Sequence, residues 1–185
     1  MRKEEVQDAE LAARALAGDR DAFGALTSRY AAQARRVARA VLRDPEDADD
    51  AAQDGFLAAL RHLGRYDPAR PFGPWLMRIV ANAAADRRRR LRVRQTEALS
   101  PLAASADPGP ADLTDRRAFR AAFEAALQEL PERQRIAVVL FDVEGYSHAE
   151  IAQVVGVPEG TVRSDVFHAR RALRAPLAAW RPTKE

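Results

Sequence analysis

The chain of 185 residues contains no cysteine and only three histidines. The missing thiols exclude disulfides, thiolate zinc sites, iron–sulfur clusters and a cysteine nucleophile. The histidines, at positions 62, 148 and 168, lack metal-ligand spacing, and the chain has no glycine-rich phosphate loop and no Ser-His-Asp arrangement that the spacing would favour. We therefore expect no enzyme activity, no metal and no cofactor.

Long apolar runs are also missing. No stretch approaches the roughly 18 apolar residues that a membrane helix needs. The N-terminal stretch MRKEEVQDAE does not have the pattern of a signal peptide. We therefore expect a cytoplasmic protein with no segment inserted into a membrane.

Alanine and arginine dominate what is present. Alanine accounts for 40 of the 185 residues and β-branched residues are few, which favours an all-α fold with several small cores. Arginine makes up 28 of the 30 basic residues, and its guanidinium forms bidentate contacts with phosphates and base edges. Residues 44–54 hold six acids and no base, whereas residues 86–94 hold six arginines and one acid. These blocks predict two separate interaction surfaces.

Periodicity and breakers divide the chain into two helical domains. Helices are predicted over 8–17, 21–42, from Pro45 onward and over 75–92, with a Pro- and Gly-rich loop at 64–74. Residues 95–113 contain three prolines and no aromatics, and they predict a flexible linker. Helical periodicity returns at Thr114. We therefore expect domains at 1–94 and 114–185 that fold separately.

The second domain ends in a helix-turn-helix pattern. Ser147 and Glu150 form a capping box, Gly156 is the expected C-cap, and a longer helix begins near Thr161. That helix has an apolar stripe of Val162, Val166, Ala169 and Leu173. Its other side is basic, as in a helix that reads a DNA groove.

The chain resembles the extracytoplasmic-function (ECF) group of bacterial RNA polymerase sigma factors. The resemblance covers residues 8–177 and rests on five motifs in the family's order: DADDAAQDGFLAAL, WLMRIVANAAAD, LPERQR, DVEGYSHAEIAQVVGVPEGTVRS and ARRAL. It implies two domains, region two and region four, that recognise the minus-ten and minus-thirty-five promoter elements. It also implies core RNA polymerase, through its largest and second-largest subunits, and promoter DNA as partners.

The resemblance implies a role for each interaction surface. Polymerase docking falls on the acidic helix, at Asp49, Asp50, Gln53 and Asp54, with Phe56 or Leu60. For Asp47, stabilisation of the helix dipole is at least as good an explanation. Minus-ten recognition falls on Tyr66, Asp67, Arg70, Phe72, Arg78, Asn82, Arg87 and Arg88. The alternative for the aromatic residues is that Tyr66, Phe72 and Trp75 seal the loop onto the core.

Minus-thirty-five recognition falls on the last helix, at Thr161, Arg163, Ser164, Phe167, His168, Arg170 and Arg171. Asp165 and His168 depart from the family's usual arginines. On a helical wheel Asp165 lies at the edge that borders a phosphate backbone, where it would repel DNA. The alternative is that Asp165 accepts a hydrogen bond from His168 or from a base.

Two further interpretations remain at this point. The resemblance implies an anti-sigma factor that wedges between the domains and could hold the chain at the membrane. The competing hypothesis is a stand-alone helix-turn-helix regulator whose N-terminal half senses a signal or dimerises. A dimeric regulator needs a self-complementary interface, and the sequence shows no sustained heptad seam.

Overall fold

The computed structural model describes residues 3–97 and 114–180, and this part of the chain contains helices and no strands. The all-α fold class is therefore confirmed. Within these two ranges lie eight α-helices: α1 (Lys3–Leu16), α2 (Arg20–Val41), α3 (Pro45–His62), α4 (Phe72–Glu97), α5 (Thr114–Gln128), α6 (Glu132–Val138), α7 (His148–Val155) and α8 (Glu159–Leu173). Single turns of 3₁₀ helix span Leu63–Arg65 and Ala178–Trp180, and a π-helical turn spans Val139–Val143.

Most of the predicted linker lies outside the described residues. Its first three positions, 95–97, belong to α4, so the helix runs three residues past the predicted boundary at position 94. Helix α5 starts at Thr114, where the helical periodicity of the sequence returns.

Side-chain caps fix the starts of α2 and α3. Asp19 accepts a hydrogen bond from the Ala22 amide at 3.1 Å. Asp44 accepts from the amides of Glu46 and Asp47, at 2.8 and 3.0 Å, and Pro45 occupies the first turn of α3. Each cap satisfies backbone donors that the first turn of a helix leaves free.

Helices α1–α4 form the N-terminal half, in which α3 packs against both α2 and α4. The approach of α3 to α4 depends on Gly55. A Cβ at this position would lie 2.8 Å from Cγ2 and 3.0 Å from Cα of Val80, so a larger residue would push the helices apart. Around this contact the fully buried side chains include Val37, Phe72, Leu76, Met77 and Val80.

The helix-turn-helix of the C-terminal half is confirmed in detail. The Ser147 hydroxyl accepts from the Glu150 amide at 3.3 Å, and the Glu150 carboxylate accepts from the Ser147 amide at 2.8 Å. Gly156 ends α7 with φ of 71°, a conformation that favours glycine. The predicted apolar stripe of α8 is buried at Val162, Val166, Ala169 and Leu173.

Asp165 does not face DNA, and the expectation that it borders a phosphate backbone is wrong. Its side chain is 7% exposed and accepts hydrogen bonds from Nε of Arg133 at 2.6 Å and from Nη2 at 3.3 Å. The alternative of a hydrogen bond from His168 is also wrong, because the partner is Arg133 of α6. The pair thus fixes α8 on α6 and leaves no negative charge on the outer face of the helix at this position.

The two halves pack against each other, which the sequence did not predict. Helix α7 lies on α4, and α6 lies on α2. Glu144 accepts hydrogen bonds from Gln33, at 3.1 Å, and from Arg36, while the Tyr146 hydroxyl donates to Gln33 at 3.0 Å. The buried apolar residues of both halves form one contiguous cluster rather than several small cores.

Replacing Gly73 should loosen the contact between the halves. A Cβ at Gly73 would overlap the Tyr146 hydroxyl and lie 3.2 Å from the Tyr30 ring. We expect Gly73→Ala to lower the free energy of unfolding by about 1–3 kcal/mol, the usual cost of overpacking. We also expect a larger radius of gyration by small-angle X-ray scattering.

Gly24→Ala is the matched control. Gly24 lies within α2, and a Cβ at this position would meet no atom within 4 Å. It should raise stability by about 0.5–1 kcal/mol and leave the radius of gyration unchanged. Adding Tyr146→Phe to Gly73→Ala removes the overlapping hydroxyl and should restore part of the lost stability. An unchanged radius of gyration in Gly73→Ala would contradict the tight contact at this point.

Substitution of Asp165 tests its place in the core. Asp165→Arg would put a second guanidinium beside Arg133 in a buried position, and we expect it to cost about 3 kcal/mol of stability. Glu159→Arg, at the exposed start of α8, should cost about 1 kcal/mol or less. Thermal melts of both variants give the comparison, and a fully stable Asp165→Arg protein would contradict the buried pair.

Candidate nucleic-acid and polymerase interfaces

The outer face of α3 combines polar residues with exposed leucines. Gln53 and Asp54 are exposed as predicted, and Leu57 and Leu60 are exposed to 58% and 47%. Leu60, one of the two apolar residues expected beside the docking residues, is thus on the surface, whereas Leu57 was not predicted. Leu57 follows Gln53 by four residues and Asp54 by three, so helical spacing alone could have placed it on this face.

The acidic block and the arginine run meet at Arg87 and are not wholly separate surfaces. Arg87 donates from Nε to Asp47 at 2.8 Å and from Nη2 to Asp50 at 2.8 Å. The hydrogen bond with Asp47, followed by the charges of both aspartates, raises the pKa of Arg87. Arg87, a predicted minus-ten contact, is therefore turned toward α3 and is not presented to DNA. Asp49, also predicted for docking, lies 3.8 Å from Nε of Arg35.

Arg88 is also engaged by a partner within the protein and is partly buried. It forms an ion pair with Glu132, at the start of α6 in the other half. Burial, followed by repulsion from Arg92 and Arg89, lowers the pKa of its guanidinium. Arg88 is therefore paired across the two halves in this arrangement, and its contact with minus-ten DNA stays a prediction.

The aromatic residues around the 66–72 loop are core residues. Tyr66 is buried, its hydroxyl donates to the Arg70 carbonyl at 2.7 Å, and its ring lies edge-on to Phe72 with centroids 5.2 Å apart. Phe72 is buried too, and it packs on Trp75. Tyr66 and Phe72 therefore do not face a flipped base in this structure, and the alternative that they seal the loop onto the core is the one observed.

Four of the predicted minus-ten residues remain on the surface. Asp67 accepts from the Ala69 amide at 3.0 Å and lies 3.5 Å from Nε of Arg70, so the two side chains shape the turn. Arg78 and Asn82 are exposed one turn apart on α4. These polar groups, rather than the aromatic rings, are the surface that this region offers to a base or a phosphate.

The outer face of α8 has the composition of a groove-reading surface. Phe167 is 62% exposed, and its ring meets the His168 ring edge-on at 5.5 Å. The predicted contacts Arg163, Ser164 and Arg171 are exposed beside it, and Thr161 is half-buried at the start of the helix. Arg163 also pairs with Glu159 at 2.7 Å, an exposed contact that contributes little.

Arg170 differs from the other predicted contacts on this helix. It donates to Asp142 and its guanidinium lies 4.9 Å from the centroid of the Phe141 ring. The hydrogen bond with Asp142 raises the pKa of Arg170. Arg170 thus has a partner within the protein although its side chain is half exposed, and its phosphate contact stays a prediction.

No group of three or more His, Cys, Asp or Glu side chains placed to hold a metal occurs within 3–97 and 114–180. Within the same two ranges, no helix has both the length and the apolar character to cross a membrane.

Comparison with known proteins places both halves in one family. Residues 26–94 match the family model of sigma-70 region 2, and residues 120–173 match that of sigma-70 region 4. The ECF RNA polymerase sigma factor SigM of Mycobacterium tuberculosis is 45% identical over 174 residues, which cover 92% of this chain and 85% of SigM. The sigma factor CnrH of Cupriavidus metallidurans is 36% identical over 181 residues, covering 93% of this chain and 95% of CnrH.

Solved structures agree with this placement. CnrH in complex with the cytosolic domain of CnrY matches with a TM-score of 0.69 and 31% identity over 94% of this chain and 98% of that chain. RpoE of Bartonella quintana, in complex with the anti-sigma factor NepR, shares the fold with a TM-score of 0.74 over 86% of this chain and 98% of that chain. With two family domains in order and relatives matched along most of their length, the chain belongs to the ECF RNA polymerase sigma factors.

Proposed function

We propose that this protein binds core RNA polymerase and directs it to promoters, as a specificity subunit without a catalytic step of its own. The observation that carries the proposal is the pair of distinct outer faces on one short chain. Gln53, Asp54 and Leu57 form one face on α3, and Phe167 among arginines forms the other on α8.

The α3 face has the chemistry of a protein-docking surface. Two exposed leucines beside acidic and amide side chains supply apolar area together with charge that selects a basic partner. We assign polymerase binding to Asp50, Gln53 and Asp54, with Leu57 and Leu60 as the apolar contacts.

Promoter reading is assigned to two surfaces. In the N-terminal half, Asp67, Arg70, Arg78 and Asn82 take the minus-ten element, with the exposed Arg89 and Arg90 nearby for phosphates. In the C-terminal half, Arg163, Ser164 and Phe167 face bases of the minus-thirty-five element, and Arg171 faces phosphate. An exposed Phe suits this role because it can contact a thymine methyl group.

The packed arrangement of the halves cannot contact the minus-ten and minus-thirty-five elements at the same time. About 25 base pairs separate the two elements, or about 85 Å at 3.4 Å per base pair. A compact chain of this length has a radius of gyration of about 16 Å. We therefore infer that the halves separate on the polymerase and that the packed form is the free protein. An anti-sigma factor, as seen on the structurally similar RpoE, is the partner that we propose for holding the chain inactive.

Binding assays with core polymerase test the proposal. We expect promoter DNA to be retarded only when core enzyme is present, and Asp54→Lys and Leu57→Ala each to weaken the affinity for core by about tenfold. Both side chains are exposed, so thermal stability should change little. A regulator that acts alone would instead retard the duplex without polymerase.

Leu16→Ala is the matched control for Leu57→Ala. Leu16 is a leucine of similar exposure, 49%, on a different helix, α1. It should leave the affinity for core unchanged. Loss of affinity in both leucine variants, or in neither, would move the docking surface away from α3.

On the α8 face, substituting a base contact and substituting a phosphate contact should have different effects on DNA binding. In complexes with core polymerase, Phe167→Ala should reduce the preference for a native over a scrambled minus-thirty-five element. Arg171→Ala should weaken binding to the native and the scrambled element alike. It should also reduce, by about one, the steepness with which the logarithm of the binding constant falls with the logarithm of the salt concentration. Arg170→Ala is the control, because Asp142 already compensates Arg170, and its salt slope should not change. A slope that falls equally for both arginines would show that Arg170 also reaches phosphate.

A further inference from the structure

A cleft of about 360 Å³ lies where the two halves meet. Its walls come from the end of α2 in the N-terminal half and from α5, α6 and the π-helical turn in the C-terminal half. The volume falls within the range of small-molecule sites in proteins. The cleft takes no part in the polymerase or DNA contacts assigned above.

The charge on the cleft walls is strongly one-sided. Five arginines line it against a single acid, Glu124. Two of the five are compensated, since Arg36 binds Glu144 and Arg120 lies 3.1 Å from Glu124. The other three, Arg39, Arg43 and Arg135, have no carboxylate partner among the described residues.

Arg135 is the most unusual of these three. Its side chain is buried, yet its guanidinium donates only to neutral acceptors: the carbonyls of Ala40, Leu127 and Gln128 and the Gln128 side chain. Burial, followed by repulsion from Arg43 and Arg88, lowers the pKa of this guanidinium. A buried cation without a counter-charge is costly, so an anion in the cleft would stabilise it.

Arg39 and Arg43 extend the positive charge along α2. They are four residues apart and both line the cleft. Nε of Arg39 is buried and has no hydrogen-bond partner in the structure. Arg39 therefore has an unused donor as well as an uncompensated charge, and an anion bound beside it would offset both costs.

The remaining wall is apolar. It is formed by Leu42, Phe123, Leu127, Val139 and Val143. A free inorganic anion would leave this surface uncovered. A ligand with an apolar or planar body next to its charged group would cover it, and the Phe123 ring offers an aromatic surface for that body.

We propose that this cleft binds an organic phosphate that carries at least two negative charges and a planar or apolar body. Arg39 and Arg43 bind the phosphate oxygens, for which guanidinium groups supply paired donors, and the positive charge of Arg135 attracts them from the cleft wall. A carboxylate, with one charge, would leave two of the three cations uncompensated. The apolar wall holds the body of the ligand.

Both halves contribute to the cleft, so such a ligand favours the packed form. A ligand that binds one of two arrangements shifts the population toward it. This consequence rests on the proposed function, in which the halves separate on the polymerase. The binding itself does not, and it is measured without polymerase.

Calorimetric titration of the full chain at 0.15 M salt tests the site with three probes: ADP, pyrophosphate and adenosine. We expect ADP to bind at least tenfold more tightly than pyrophosphate and at least a hundredfold more tightly than adenosine. The double variant Arg39→Gln/Arg43→Gln should weaken ADP binding by tenfold or more, since each charged hydrogen bond contributes a factor of this order. Gly73→Ala should also weaken it, because separated halves do not form the cleft.

Arg20→Gln is the matched control, because Arg20 is an exposed arginine at the other end of α2. It should leave ADP binding unchanged. Equal losses in the control and in the double variant would mean attraction by net charge alone and would overturn the site. Pyrophosphate that binds as tightly as ADP would overturn the role of the apolar wall. A glutamate-rich peptide that binds where ADP does not would make the cleft a protein-docking groove, and the proposal would then be wrong.

Discussion

Glu144 connects the two halves of the chain, and the accessibility of the other surfaces follows from this contact. Its side chain is 5% exposed and lies just after the π-helical turn, where it accepts hydrogen bonds from Gln33 and Arg36 of α2. Without these donors a buried carboxylate would be left unpaired, which is strongly destabilising. The hydrogen bond to Glu144 also raises the pKa of Arg36. With Glu144 in place, α7 lies on α4, and the arginine-lined cleft closes between α2, α5 and α6.

Local signals made the helix-turn-helix predictable, whereas long-range pairing was not visible in the sequence. The capping box at Ser147 and the left-handed Gly156 lie within ten residues of each other, and each has a local physical cause. Asp165 looked like an edge residue on a helical wheel. Its partner, Arg133, is 32 residues away on another helix, so no periodicity could show that the carboxylate turns inward.

Composition explains why the aromatic residues were misplaced. In a chain in which alanine is the commonest residue, bulky side chains are scarce and the core requires most of them. Tyr66 and Phe72 are therefore used to seal the loop, although an aromatic beside arginines also matches a base-binding pattern. Leu57 and Leu60 are informative exceptions, because these bulky residues are left exposed on a helix whose other side is well packed.

The contact between the halves has a polar part beside the shared apolar core. This part consists of hydrogen bonds and ion pairs: Glu144 with α2, Arg88 with Glu132, and Arg135 with the Ala40 carbonyl. Water can replace such partners, so each contributes about 1 kcal/mol, and interfaces of this kind permit domains to move. A partner that binds only the separated halves needs to supply the difference in free energy between the packed and the separated forms. Arg39 and Arg43 oppose closure through their uncompensated charge. An anion between them therefore favours the packed form, whereas a partner on α3 and promoter DNA on α8 favour the separated form.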